Sequence, residues 1–92
     1  MNTENAEILA LQGLGWLAGD EEALHRFLNL SGLDVAALRA ATGTSDMNLA
    51  ILDFLLGHED LLLRFCEAEG ISPRNLHLAR HSLAKDETGG MA

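Results

Sequence analysis

The sequence predicts an all-α protein, a compact five- or six-helix bundle built from two pseudo-repeated three-helix units, and three observations carry that expectation. Nineteen leucines, no tyrosine and a single proline among 92 residues favour helix over strand. Apolar residues recur at helical spacing between glycine stops. The chain also repeats itself at an offset of thirty-eight residues: Leu11, Leu14, Leu17, Gly19, Glu21, Leu24, Arg26, Phe27, Gly32, Leu38 and Ala41 fall on Leu49, Leu52, Leu55, Gly57, Glu59, Leu62, Arg64, Phe65, Gly70, Leu76 and Ala79. These eleven identities lie within thirty-four compared positions, residues 8–41 against 46–79, more than a leucine-rich composition produces by accident. A period of this size marks a supersecondary unit whose apolar face is completed by a neighbour.

Each element follows from local chemistry. Residues 5–18 carry Ile8, Leu9, Leu11, Leu14, Trp16 and Leu17 almost all round a helix, the pattern of a central buried element. Gly13 and Gly15 lie within it, where a close backbone or a large ring is expected to pack, with Trp16 the candidate ring. Gly19 ends the helix, and Asp20 caps a second at 21–31 that buries Leu24, Phe27 and Leu28. Gly32 stops that helix, Asp34 caps a short third with Val35 and Leu38, and Gly43 closes the first repeat. Ser45 or Asp46 then caps a fourth helix carrying Leu49, Ile51, Leu52, Phe54 and Leu55 up to Gly57. Residues 59–69 match the second helix, Gly70 is the turn, and Ser72 with Pro73 starts the last helix, which is expected to run through Leu76, Ala79 and Leu83 to about Lys85. Residues 1–85 form one helical domain on this reading, and 86–92, with Gly89 and Gly90, a disordered C-terminal tail.

The chain is acidic, with a formal charge of -8 that opposes non-specific binding to nucleic acid or anionic membrane. The charge is uneven: residues 1–70 hold twelve acids against Arg26, Arg39 and Arg64, whereas 71–85 hold Arg74, Arg80 and Lys85 and no acid. No apolar run is long enough to span a bilayer, and the acidic start Met1 to Glu7 lacks the basic region of a signal peptide. The lone Cys66, beside Phe65 in an apolar helical pattern, reads as a buried core thiol and fits a reducing, cytoplasmic compartment.

No catalytic constellation, cofactor or metal is expected. His77 and His81 share a helix face, but Leu78 stands where a zinc hydrolase places its general-base Glu, and no third ligand is locatable. Glu21 with Glu22 and Glu59 with Asp60 sit in the first turns of equivalent helices, where they complement the dipole. Glu22 to Arg26 and Asp60 to Arg64 have i,i+4 spacing.

Two binding readings remain. Ala23 becomes Leu61, His25 becomes Leu63 and Ala40 becomes Leu78 in the second repeat, changes that a shared core does not require. An apolar patch of Leu61, Leu63 and Leu78 would mark a protein partner or homodimer surface, and a non-enzymatic interaction module is the leading expectation. The alternative is a helix-turn-helix: Cys66, the turn at Gly70, Ile71 and Leu76 have its spacing, and the helix starting at Ser72 would read DNA with Arg74, Asn75, His77 and Arg80. The first repeat has the same turn but offers Asp34, Val35, Ala36 and Ala37 in place of base-reading residues.

The runs Leu14-Gly15-Trp16-Leu17-Ala18, Arg26-Phe27-Leu28 through Gly32-Leu33, Leu38-Arg39, Leu52-Asp53-Phe54-Leu55-Leu56 through Glu59, and Gly70-Ile71-Ser72-Pro73 carry a family resemblance. From Ala6 to Leu83 the chain resembles a small uncharacterised alphaproteobacterial family catalogued as a domain of unknown function. The resemblance implies a bacterial, all-helical protein and assigns no catalytic or binding residue.

Overall fold

In the computed structural model, residues 1–89 are described along the backbone and side chains through Ala84. They form six helices and, among the described residues, no strand: α1 (Thr3–Ala18), α2 (Glu21–Ser31), α3 (Val35–Ala41), α4 (Ser45–Leu56), α5 (Glu59–Glu69) and α6 (Pro73–Gly89). Helix α6 is described through Gly89, past Lys85 and into the segment expected to be a tail; residues 90–92 of that expected tail lie outside the described residues.

Local side-chain chemistry sets the helix starts. Asn2, Asp20, Asp34 and Thr44 each accept a hydrogen bond from the backbone N–H three residues on, at 2.8, 3.0, 2.7 and 3.2 Å. Thr44, rather than Ser45 or Asp46, caps α4, since its Oγ1 reaches the Met47 N–H and puts Ser45 in the first turn. His58, which stands where the first half has Asp20, makes no side-chain cap bond to α5. Helix ends recur at the same offset as the sequence identities. Gly19 and Gly57 close α1 and α4 in right-handed geometry (φ -88° and -85°), while Gly32 and Gly70 close α2 and α5 in left-handed geometry (φ 75° and 65°). Only the latter pair needs glycine for its conformation.

The core lies where α1, α4 and α6 meet, and α2 and α5 pack beside it on α1 and α4 respectively. On α1 the buried residues Ala6, Leu9, Ala10, Gly13 and Leu17 form one stripe, and its small members let neighbouring helices approach. A Cβ on Gly13 would lie 3.1 Å from Ile51 Cγ2 and 3.2 Å from Leu55 Cδ1 of α4. The Gly13 surface is therefore filled by aliphatic chains of α4, not by Trp16, whose ring instead meets Phe65 of α5 edge-on at 5.9 Å. Gly15 is exposed and has nothing within contact distance of its missing Cβ.

Enclosure of α1 is one-sided: Ile8 and Leu11 are 50% and 43% exposed, so the nearly continuous apolar pattern does not mean burial all round. Among the described residues, one polar side chain is trapped in the core. Asn48 of α4, on the same stripe as Ile51, Leu52 and Leu55, is 2% exposed and its Oδ1 has no hydrogen-bond partner.

Candidate functional site: two related clefts

The leucines gained by the second half separate. Leu61 is fully buried, as is Ala23 at the corresponding place, so it enlarges the core and is withdrawn from any surface patch. The α5 stripe that faces inward is Leu61, Leu62, Phe65 and Cys66, and Leu63 falls off it with half its surface exposed. Leu78 is also exposed, on α6.

Helix α6 divides the four residues expected to read DNA. At about 100° per residue, with Leu76, Ala79 and Leu83 buried, its outward arc holds Arg74, His77, Leu78 and His81. Asn75 and Arg80 lie on opposite flanks of that arc. The Arg80 Nε donates to Asp53 Oδ1 of α4 at 2.7 Å, and this bond raises the guanidinium pKa above its ordinary value. Gly70 does make a tight left-handed turn: the Ile71 N–H donates to the Cys66 carbonyl at 2.9 Å, as a Schellman ending requires. Among the described residues, no group of three His, Cys, Asp or Glu side chains gathers to hold a metal. Cys66 is buried, and burial pushes its thiol pKa up, away from the thiolate that nucleophilic chemistry uses.

Two surface concavities among the described residues lie elsewhere, where one half of the chain meets the other. Trp16 of α1 packs on Phe65 of α5, and Phe54 of α4 packs edge-on against Phe27 of α2 at 5.1 Å. Both members of the second contact stand thirty-eight residues from members of the first, in exchanged order. The ionic contacts are exchanged likewise. Arg26 donates to Asp60 at 2.8 Å and lies 3.8 Å from Glu22, while Arg64 pairs with Asp20 and lies 3.9 Å from Glu22. The anticipated Asp60 to Arg64 pair does not form, because Asp60 is engaged by Arg26 across the α2/α5 junction. That hydrogen bond holds the Asp60 carboxyl below its usual range.

Beside each aromatic pair lies an open cleft. The first, about 390 Å³, is lined by Trp16, Asp20, Arg64, Glu67 and Ala68. Its aromatic face is already covered, with the Arg64 guanidinium 5.6 Å from the Trp16 ring and anchored by Asp20. The second, about 290 Å³, runs between α2 and α4 over Phe27 and Phe54, with Leu30, Ala50, Asp53 and His58 around it. There His58 replaces Asp20 and Leu30 replaces Ala68, and Arg26, the equivalent of Arg64, points to Asp60 instead. The imidazole stacks on Phe54 at 4.4 Å, and its Nδ1 lies 2.7 Å from the Phe54 carbonyl oxygen, which can only accept. Nδ1 therefore carries a proton, and the neutral ring keeps Nε2 as an acceptor.

Leu30 is 66% exposed, the highest value among the large apolar side chains of the described residues. Comparing the halves for leucines gained in the second repeat passes over it. The signal was nonetheless in the sequence: Leu30 against Ala68 and His58 against Asp20 are mismatches of the same kind, running in the opposite direction.

Among the described residues no helix is long and apolar enough to cross a membrane. No curated protein and no solved structure matches the chain. The family described as protein of unknown function (DUF3572) matches residues 3–86, nearly the full length, and the chain belongs to that family.

Proposed function

We propose that this protein is a non-enzymatic protein-interaction module that seats an apolar segment of a partner in the groove between α2 and α4. The observation that carries this reading is the open groove floored by Phe27 and Phe54, with Leu30 two-thirds exposed at its side. Exposed apolar surface that adjoins a preformed concavity is where a partner gains most from burial. Leu63 and Leu78 remain as exposed apolar positions outside this groove, available to the same or another partner. The exchanged aromatic and ionic contacts support reading 8–41 and 46–79 as two copies of one three-helix unit, diverged so that one cleft is charged and the other apolar. The buried, unpaired Cys66 is in keeping with a cytoplasmic setting.

Amide NMR of the intact chain, titrated with a synthetic amphipathic helical peptide, tests the reading. Shifts concentrated at Leu30, Ala50, Phe54 and His58 are expected. Shifts confined to the neighbourhood of Leu63 and Leu78 would move the site to the patch first expected from the sequence, and no shifts anywhere would end the proposal.

A second reading rests on the outward arc of α6, where Arg74 and His77 stand together beyond a tight turn. It is the weaker one, since Arg80 is held by Asp53 and the body is acidic. Fluorescence anisotropy with duplex DNA at low salt checks it: binding that Arg74→Ala abolishes and salt weakens steeply supports DNA recognition, and the absence of binding at micromolar protein removes it.

A further inference from the structure

We infer that the outward face of α1 is a self-association seam, through which two copies of the chain pair reversibly, α1 antiparallel to α1, about a two-fold axis at Leu11. The residues of α1 that face directly away from its buried stripe are Glu4, Ile8, Leu11, Gly15 and Ala18, all exposed. Their spacing alternates four and three, as the inward positions of a coiled coil do. This line shares no residue with the α2/α4 groove and does not include Leu63 or Leu78.

Two observations on α1 call for cover from outside the chain. A helix that is apolar nearly all round suits enclosure on every side, yet here one side is enclosed and Ile8 and Leu11 are left 50% and 43% exposed. The two interior glycines differ in the same way. Gly13 makes room for Ile51 and Leu55 of α4, whereas a Cβ on Gly15 would meet nothing within 4 Å among the described residues. Glycine weakens a helix interior, and Gly15 returns no packing within its own chain for that cost.

The order of sizes along the seam identifies the occupant as a second copy. The larger side chains Glu4 and Ile8 precede Leu11, and the small Gly15 and Ala18 follow it. Reversing the helix about Leu11 sets Ile8 over Gly15, Glu4 over Ala18 and Leu11 against Leu11. Large then meets small toward both ends, and each copy makes the same contacts, as a two-fold interface requires. Charge selects the same direction. Glu4 is the only charged residue on the seam; parallel helices would bring its two copies together, whereas antiparallel ones hold them about 20 Å apart. A footprint of roughly 20 by 10 Å is well below the ~800 Å² per partner of a standard interface, which places the pair among weak, reversible dimers. Each copy carries a formal charge of -8, so screening by salt should tighten the dimer, the reverse of an ionic contact.

Sedimentation equilibrium of the full chain from ~10 µM to ~1 mM tests the inference. A monomer–dimer equilibrium that tightens severalfold with salt is expected. Leu11→Glu should weaken it by roughly tenfold or more with the helical circular dichroism unchanged. Gly15→Leu adds apolar surface and favours helix, so general stickiness would strengthen pairing, whereas a filled gap should weaken it by roughly tenfold. An equimolar mixture of Glu4→Cys and Ala18→Cys chains, oxidised with glutathione disulfide, should form mainly the mixed disulfide. A monomer over the whole range, a dimer indifferent to Leu11→Glu, or one tightened by Gly15→Leu would overturn the seam. A disulfide formed chiefly between two Glu4→Cys chains would overturn the antiparallel pairing.

Discussion

The two clefts are built from equivalent positions and present opposite surfaces. Trp16 rests on Phe65 and Phe54 on Phe27 with the same edge-on geometry, so the aromatic framework is shared. The difference follows from one capping position. Where Asp20 caps α2, it also anchors Arg64 over Trp16, and the cleft becomes a charged, self-covered surface. Where His58 stands before α5, it makes no cap, turns its ring onto Phe54 and offers Arg26 no carboxylate, and the groove is lined mainly by apolar side chains. The exchange of a carboxylate for an imidazole at this position thus accompanies a different partner for the arginine and a less polar lining of the cleft.

The strongest test of the shared framework removes its aromatic supports. Phe65 is fully buried and Phe27 is 2% exposed, and truncating either to alanine should cost about 3–5 kcal/mol by urea denaturation. Equal losses would say that the two aromatic contacts are energetically equivalent. A clearly larger loss for Phe65→Ala would show that the self-covered cleft carries more of the stability.

A smaller effect of opposite sign is expected at Asn48, which stands where the other half has Ala10. Its Oδ1 is buried without a partner, a penalty that Asn48→Leu removes with the same branched skeleton, so the variant should be more stable by about 1 kcal/mol in thermal melts. Destabilisation would mean that the larger leucine overpacks the core or that Asn48 has a bonded partner in solution.

The smallest effect concerns the exchanged ion pairs. The Arg26 hydrogen bond holds the Asp60 carboxyl below its ordinary range, so its stabilising contribution is present above the unfolded-state carboxylate pKa and is lost as pH falls through the lower folded-state value. Asp60→Asn should therefore flatten the acid limb of the stability profile slightly, and added salt should shrink the difference because the pair is exposed. An unchanged acid limb would show the Arg26 contact to be without consequence.

Most of the helical framework was legible in the sequence because its signals are local. Asp20 and Asp34 cap the helices they precede, Gly32 and Gly70 close α2 and α5, and α6 starts at Pro73, each through contacts within a few residues. The surface was less legible. Periodicity alone cannot say that Leu61 is enclosed while Ile8 and Leu11 are left half-exposed, since that depends on which neighbours arrive. Nor could i,i+4 spacing foresee that Asp60 would leave Arg64 for Arg26, a partner thirty-four residues away.

By itself, then, the sequence determined the helices, their stops and the recurrence of one pattern at an offset of thirty-eight, because capping, backbone conformation and apolar period act over a single turn or two. Only the tertiary structure decided that the halves exchange aromatic and ionic partners, that Leu61 goes inward and Leu30 outward, and that Arg64 lies over the Trp16 ring in one cleft while Arg26 turns to Asp60 beside the other. Those outcomes depend on how α1, α4 and α6 pack and where α2 and α5 come to lie beside them. Contacts between distant segments follow from that packing and from no local rule.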